Sequence, residues 1–83
     1  MGARRSYPQF EGMTTDEWTE LLRLSMLSPR QKELATQCVQ WSDMPLIEIA
    51  DAHGIDRRTL ARMMDREILP VLERMLKRMA RSA

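Results

Sequence analysis

The sequence predicts an all-α fold, a small helical domain of four or five helices with a tri-helical helix-turn-helix core. Three observations predict it. Apolar residues recur at spacings of three and four in each long segment. Helix start signals precede several of those segments. No stretch alternates apolar and polar residues as a half-buried strand does.

The chain has 83 residues, enough for one domain. A domain of this size buries only about 60% of its unfolded surface, so its core is small and an oligomer or partner can add to it. Hydrophobic residues make up 43% and charged residues 30%, which is ordinary for a globular domain. No run approaches the ~18 apolar residues of a membrane span. Arg4 and Arg5 are followed by no apolar h-region, so we expect no signal peptide and a cytoplasmic location. Gly2 and Ser6 match a myristoylation pattern only superficially. A single cysteine, Cys38, excludes an internal disulfide. Cys38 and the single histidine, His53, are too few for a standard metal site. No cofactor motif is present.

Residues 1–13 read as a flexible N-terminal arm. Gly2, Pro8 and Gly12 break helices, and Tyr7 and Phe10 either trail with the arm or dock on the body. The body spans 14–83. Its first helix begins at Thr14 or Thr15, with Thr15 placed to accept a first-turn N–H and Asp16 and Glu17 at the positive end. Trp18, Leu21, Leu22 and Met26 form its core stripe. The second helix opens on Ser28 as N-cap, with Pro29 at the first helical position and Gln31 completing a capping box. Leu34, Cys38 and Trp41 share its buried face, widened by Ala35 and Val39, and Cys38 reads as a small core residue.

"SDMP" is a break. Ser42 or Asp43 caps the next helix, with Pro45 in its first turn. Leu46, Ile49 and Ala50 face inward, and Glu48 and Asp51 face outward. Gly54 ends that helix in a left-handed conformation. Ile55 plugs the corner, and Asp56 caps the following helix. Pro70 lies inside the last apolar run, where it predicts either a kink or two helices, about 57–66 and about 68–80. The C-terminal amphipathic helix, about 67–80, carries Ile68, Leu69, Leu72, Met75, Leu76 and Met79 as one stripe. That stripe packs on the core, pairs with its twin in an oligomer, or lies on an acidic membrane; the last is disfavoured.

The segment 45–66 meets the demands of a helix-turn-helix. Ala50 is small at the helix crossing, Gly54 follows four residues later, and Ile55 seals the corner. Leu60 and Met63 then face inward. His53, before the glycine, stands where an apolar residue is usual and reads as half-buried. The outer face of the second helix carries Arg57, Arg58, Ala61 and Arg62. Arginines there can bond guanine edges or phosphates, Ala61 permits close seating, and Thr59 either reaches a phosphate or caps the helix locally. Asp65 opposes binding if it faces the same way.

The charge is divided unevenly. Residues 12–56 hold three bases against eight acids, net −5, and residues 57–83 hold eight bases against three acids, net +5. A basic block that begins where a helix begins fits a nucleic-acid footprint. It also fits the preference of cations for helix C-termini.

"LSPRQKEL" followed by "EIADAHGIDRRTLARM" resembles the helix-turn-helix of region four of bacterial sigma factors and of the related response-regulator output domains. It is also similar in organisation to the DNA-binding domains of phage small terminase subunits. The resemblance covers about residues 27–66. It implies a tri-helical DNA-binding fold with Arg57, Arg58, Thr59 and Arg62 at base- and phosphate-contacting positions. "WSDMP" replaces the glycine usual between the capped helix and the "EIA" helix.

The expected function is DNA binding, as a bacterial or phage regulator or DNA-recognition subunit, through major-groove insertion of helix 57–66. Arg4 and Arg5 add a basic arm, and an oligomer through the C-terminal helix suits paired half-sites. The alternative is an interaction or assembly adaptor that keeps this scaffold without binding DNA. No nucleophile–base pair, metal cluster or phosphate-cradling glycine loop points to an enzyme.

Overall fold

A computed structural model describes residues 7–41 and 43–82, with side chains through residue 80. Among these residues the chain is helical, with no strand. A 3-10 turn, Pro8–Phe10, precedes α1 (Thr15–Ser25), α2 (Pro29–Val39) and α3 (Leu46–Ala52). Then α4 (Arg57–Met63), a π-helical turn (Met64–Ile68) and α5 (Leu69–Ser82) follow without a break. A run over residues 57–82 spans roughly 39 Å at an α-helical rise, close to the 38 Å long axis of the molecule. The other helices pack along it, α1 against α5, α3 against α4, and α2 against both α3 and the π turn.

The π turn has two causes. Pro70 lacks an N–H, and its ring crowds the carbonyl four residues back. The core residues Leu60, Met64, Ile68 and Leu72 are also spaced by four, and all are at most 3% exposed. At 3.6 residues per turn such a series drifts about 40° per step around the helix. A wider turn removes most of that drift. The Leu69 N–H donates to the Met64 carbonyl, five residues back, and the series stays on one line. The alternatives of a kink or two helices at Pro70 are therefore replaced by one run with a widened turn.

Ile68 and Leu72 are fully buried, and Leu69, Met75, Leu76 and Met79 pack on the core with part of their surface exposed. The stripe thus folds back onto its own domain. No helix among the described residues is long and apolar enough to cross a membrane.

The arm needs correction over its second half. Phe10 is 4% exposed and meets Trp18 edge to face, with ring centroids 5.6 Å apart. Residues 7–13 therefore dock on the body, because an aromatic pair buries more apolar surface than a free arm. Arg4 and Arg5 lie outside the described residues. Trp18 also bridges α1 to α2. Its indole N–H donates to the Thr36 hydroxyl at 3.0 Å, and that hydroxyl donates to the Lys32 carbonyl.

Helix starts follow local chemistry, with two corrections. The cap of α1 is Thr14, not Thr15. Thr14 accepts from the Glu17 N–H, and the Glu17 carboxylate accepts from the Thr14 N–H. Only Thr14 has an acid three residues on; from Thr15 that position is Trp18, which the core takes. The Ser28–Gln31 capping box forms as the sequence predicts. At α3 the cap is Pro45, without a side-chain hydrogen bond, and its carbonyl accepts from Glu48 and Ile49. Ser42 lies outside the described residues, and Asp43 stands in the preceding turn.

Two stripe residues also leave the core. Trp41 is 50% exposed, because α2 ends at Val39 before the stripe reaches it. Met26 is 91% exposed and lies at φ +61°, where α1 turns toward α2. Leu27, one residue later, takes the core position, and its N–H reaches the hydroxyl of buried Ser25. Cys38 is fully buried, as a core residue should be.

Two stability tests follow. Met26→Gly removes a left-handed strain of roughly 1–2 kcal/mol and loosens the unfolded chain. The net should be a gain of about 0.5–1 kcal/mol, seen as a Tm rise of a few degrees; a fall would mean the side chain holds the turn. Pro70→Ala should gain no more than about 1 kcal/mol, well below the ~3 kcal/mol of a proline in a regular helix interior, because the four-residue core spacing keeps the π turn. A gain near the full value in denaturant unfolding would leave the proline as its single cause.

Candidate nucleic-acid interface

The α3–α4 corner turns within residues 53–56. Its backbone forms a complete Schellman motif: Gly54 N–H donates to the Asp51 carbonyl at 3.1 Å, and Ile55 N–H to the Ala50 carbonyl at 3.0 Å. Gly54 sits at φ +69°, and a Cβ there meets no atom within 4 Å. Backbone conformation, not space, is what asks for glycine. Ile55 packs against the core, and Asp56 caps α4 through the Thr59 N–H at 2.9 Å. Ala50 is fully buried where α3 meets α4.

Helix α2 clamps the same corner from behind. Arg30 Nη2 donates to the His53 carbonyl at 3.0 Å, at the negative end of α3. Gln37 Oε1 lies 2.9 Å from His53 Nε2, so the ring carries a proton on that nitrogen to make the bond. His53 is half-buried. Its polar edge faces a side chain of α2 where the helix-turn-helix pattern expects an apolar contact. The sequence holds no local signal for this clamp. Arg30 and Gln37 lie 23 and 16 residues from their partner.

On α4, Leu60 and Met64 face the core, with Met63 half-buried beside them and Glu67 exposed. Arg57, Arg58 and Arg62 are exposed, and Ala61 is half-buried. Arg66 is exposed as well, one turn beyond Arg62, and extends the row that begins at Arg58. It was legible as a four-residue step at the last residue of the helix that the sequence predicts, about 57–66, but was not among the residues expected to contact DNA. No carboxylate pairs with Arg57, Arg62 or Arg66 among the described residues, whereas Arg23 on α1 pairs with Glu20. Thr59 is half-buried, and its backbone N–H donates to the Asp56 carboxylate at 2.9 Å, which favours a local role at the cap. Asp65 is exposed on α4's continuation, and Glu48 and Asp51 are exposed on α3. The arginine row therefore has acidic flanks.

The described residues contain no group of three or more His, Cys, Asp or Glu able to hold a metal ion. No protein-family model, curated protein or solved structure matches the chain.

The Asp56 cap gives a pH test. The N–H of Thr59 holds its carboxyl below the usual 3.8 against a desolvation penalty, with lesser help from the N–H and charge of Arg58. A depressed folded pKa means stability that is present above the unfolded value and lost as pH falls through the folded one. Asparagine caps about as well as aspartate. Asp56→Asn should unfold like the parent at pH 7 and lose less stability between about pH 5 and pH 2. Identical acid limbs in the two proteins would remove Asp56 from the pH dependence.

Proposed function

We propose that this chain binds duplex DNA with the α3–α4 corner as a helix-turn-helix, α4 entering the major groove. The observation that carries this reading is the row Arg58, Arg62 and Arg66, displayed on a corner held by its own turn and by α2. Arginines four residues apart stand side by side on a helix. Each can bond guanine O6 and N7 in a bidentate fork. Arg58 and Arg62 make the base contacts in this account, and Arg57 and Arg66 reach phosphates at the groove edges. Half-buried Ala61 leaves room for the groove wall. Thr59 serves the cap, and Arg4 and Arg5 supply a basic arm before the docked Tyr7. Asp65, Glu48 and Asp51 repel phosphate, which penalises registers that bring α3 onto the backbone. The chain then acts as a binding protein, not an enzyme, in the manner of a regulator or a DNA-recognition subunit.

A second reading has its own observation. Trp41 and Ile47 are 50% and 56% exposed, which suits an adaptor that engages protein. Salt separates the two. Phosphate contacts weaken linearly in log salt, by about 0.9 per contact, whereas an apolar protein interface survives high salt.

Fluorescence anisotropy with a pool of short duplexes, followed by selection of a preferred site, tests the proposal. Arg58→Ala should cost about 1–3 kcal/mol on the selected site and relax preference at one base pair. Arg57→Ala should weaken all duplexes alike and reduce the salt slope by about one. A folded protein that binds no duplex at low salt would overturn the proposal.

A further inference from the structure

Asp65 follows Arg62 by three residues and Ala61 by four. Residues at those spacings are neighbours on a helix surface, with Cβ atoms about 5–6 Å apart. Asp65 therefore stands one turn beyond the gap between Ala61 and Arg62. Seven residues make two turns less about 20°, so it also lies on the same strip of surface as Arg58. Arg62 and Asp65 are both exposed. No ion pair joins their side chains to each other or to another group among the described residues. On α1 the same spacing with the acid first, Glu20 and Arg23, closes an ion pair. At Arg62 the base comes first, which is the weaker order on a helix. The guanidinium and the carboxylate are left side by side, each with its hydrogen-bonding capacity unspent.

A guanidinium only donates hydrogen bonds, and an ionised carboxylate only accepts them. The base edges in the major groove differ in the same terms. Guanine offers two acceptors, O6 and N7, and no donor. Cytosine offers the N4 amino donor and no acceptor. Adenine sets the acceptor N7 beside its amino group, and thymine offers the acceptor O4 and a methyl group. An acceptor beside a carboxylate repels it. Arg62 next to Asp65 thus matches one G·C pair, donors to guanine and acceptor to cytosine, and matches no A·T pair. Phosphate offers Asp65 only repulsion, so a base edge is where its charge is useful. Ala61 carries only a methyl group below it, which lets α4 seat closely enough for the short aspartate side chain to reach.

We infer that Asp65 determines specificity in the DNA site, accepting a hydrogen bond from the N4 amino group of the cytosine whose paired guanine Arg62 reads. This role rests on DNA binding by α4 and adds to it the identity of one base pair. Asp65 lowers affinity for duplex in general, through its repulsion of phosphate, and restores it where cytosine stands. Any other base there leaves the carboxylate unpaired or facing an acceptor, and the loss against wrong sequences is what discriminates.

Site selection from a randomised duplex pool, with wild type and Asp65→Ala side by side, is the test. Wild type should select a G·C pair at a position where Asp65→Ala shows little preference. On the selected site Asp65→Ala should bind about tenfold more weakly, the cost of one base contact. On a random duplex it should bind no more weakly than wild type, because an acid has been removed. Helical circular dichroism should be unchanged, since alanine favours the helix. N4-methylcytosine at that position keeps its pairing to guanine and carries a methyl group in place of the groove-facing N–H. It should cost wild type about tenfold and leave Asp65→Ala unaffected, as coupled partners require. Asp65→Asn should move the preference there toward adenine, whose N6 and N7 suit a carboxamide. A folded wild type that binds no duplex at low salt would end the DNA-binding reading and this role with it. DNA binding with the same base preference in Asp65→Ala, a preference that relaxes at an A·T pair, or a methyl effect of equal size in both proteins would remove this role alone.

Discussion

Leu60, Met64, Ile68 and Leu72 must share one line on a helix whose natural pitch spreads them apart, and the structure is organised by the way it meets that constraint. The π turn at Met64–Ile68 widens the helix where the spacing demands it and where Pro70 blocks an ordinary turn. With the line kept, the helical run from Arg57 to Ser82 becomes a spine. Helix α3 has seven residues, too few to hold as an isolated helix. Its order comes from packing on that spine and on α2.

The α3–α4 corner is restrained three times within four residues. The Schellman bonds close α3, the Asp56 carboxylate opens α4, and Arg30 with Gln37 hold His53 from α2. Each restraint acts on a different group, so the angle between the helices does not rest on one contact. A helix that presents side chains to a groove needs this stiffness, because rigid placement lowers the entropy lost on binding. The same domain accepts strain elsewhere. Met26 stays left-handed so that Leu27 can reach the core at the turn into α2.

Surface charge follows a separate logic from the core. Arg57, Arg62 and Arg66 lack carboxylate partners among the described residues, while α1 pairs Arg23 with Glu20. Such a set does little for folding, and its chemistry is that of a surface turned toward anions. Trp41 and Ile47 break the usual burial preference on the acidic side in the same way.

The helical class, the Ser28–Gln31 box, the left-handed Gly54, the Asp56 cap and the inward Leu60 were legible in the sequence. So were the exposed arginines 57, 58 and 62. Each depends on residues within about four positions of one another, and local hydrogen bonding and helical periodicity suffice for those. Other features were not legible. Residue spacing allowed Trp41 and Met26 in the core, but helix ends expelled them. Nothing near Phe10 indicated the Trp18 ring that buries it. The partners of His53 come from a helix distant in the chain, and the proline gave a choice between kink and break when the core line required a wide turn. The sequence by itself determined which segments coil and how each begins, because those are short-range energies. The tertiary structure alone decided which apolar residues are covered and how the corner is clamped, because these depend on groups that meet only when the chain has folded.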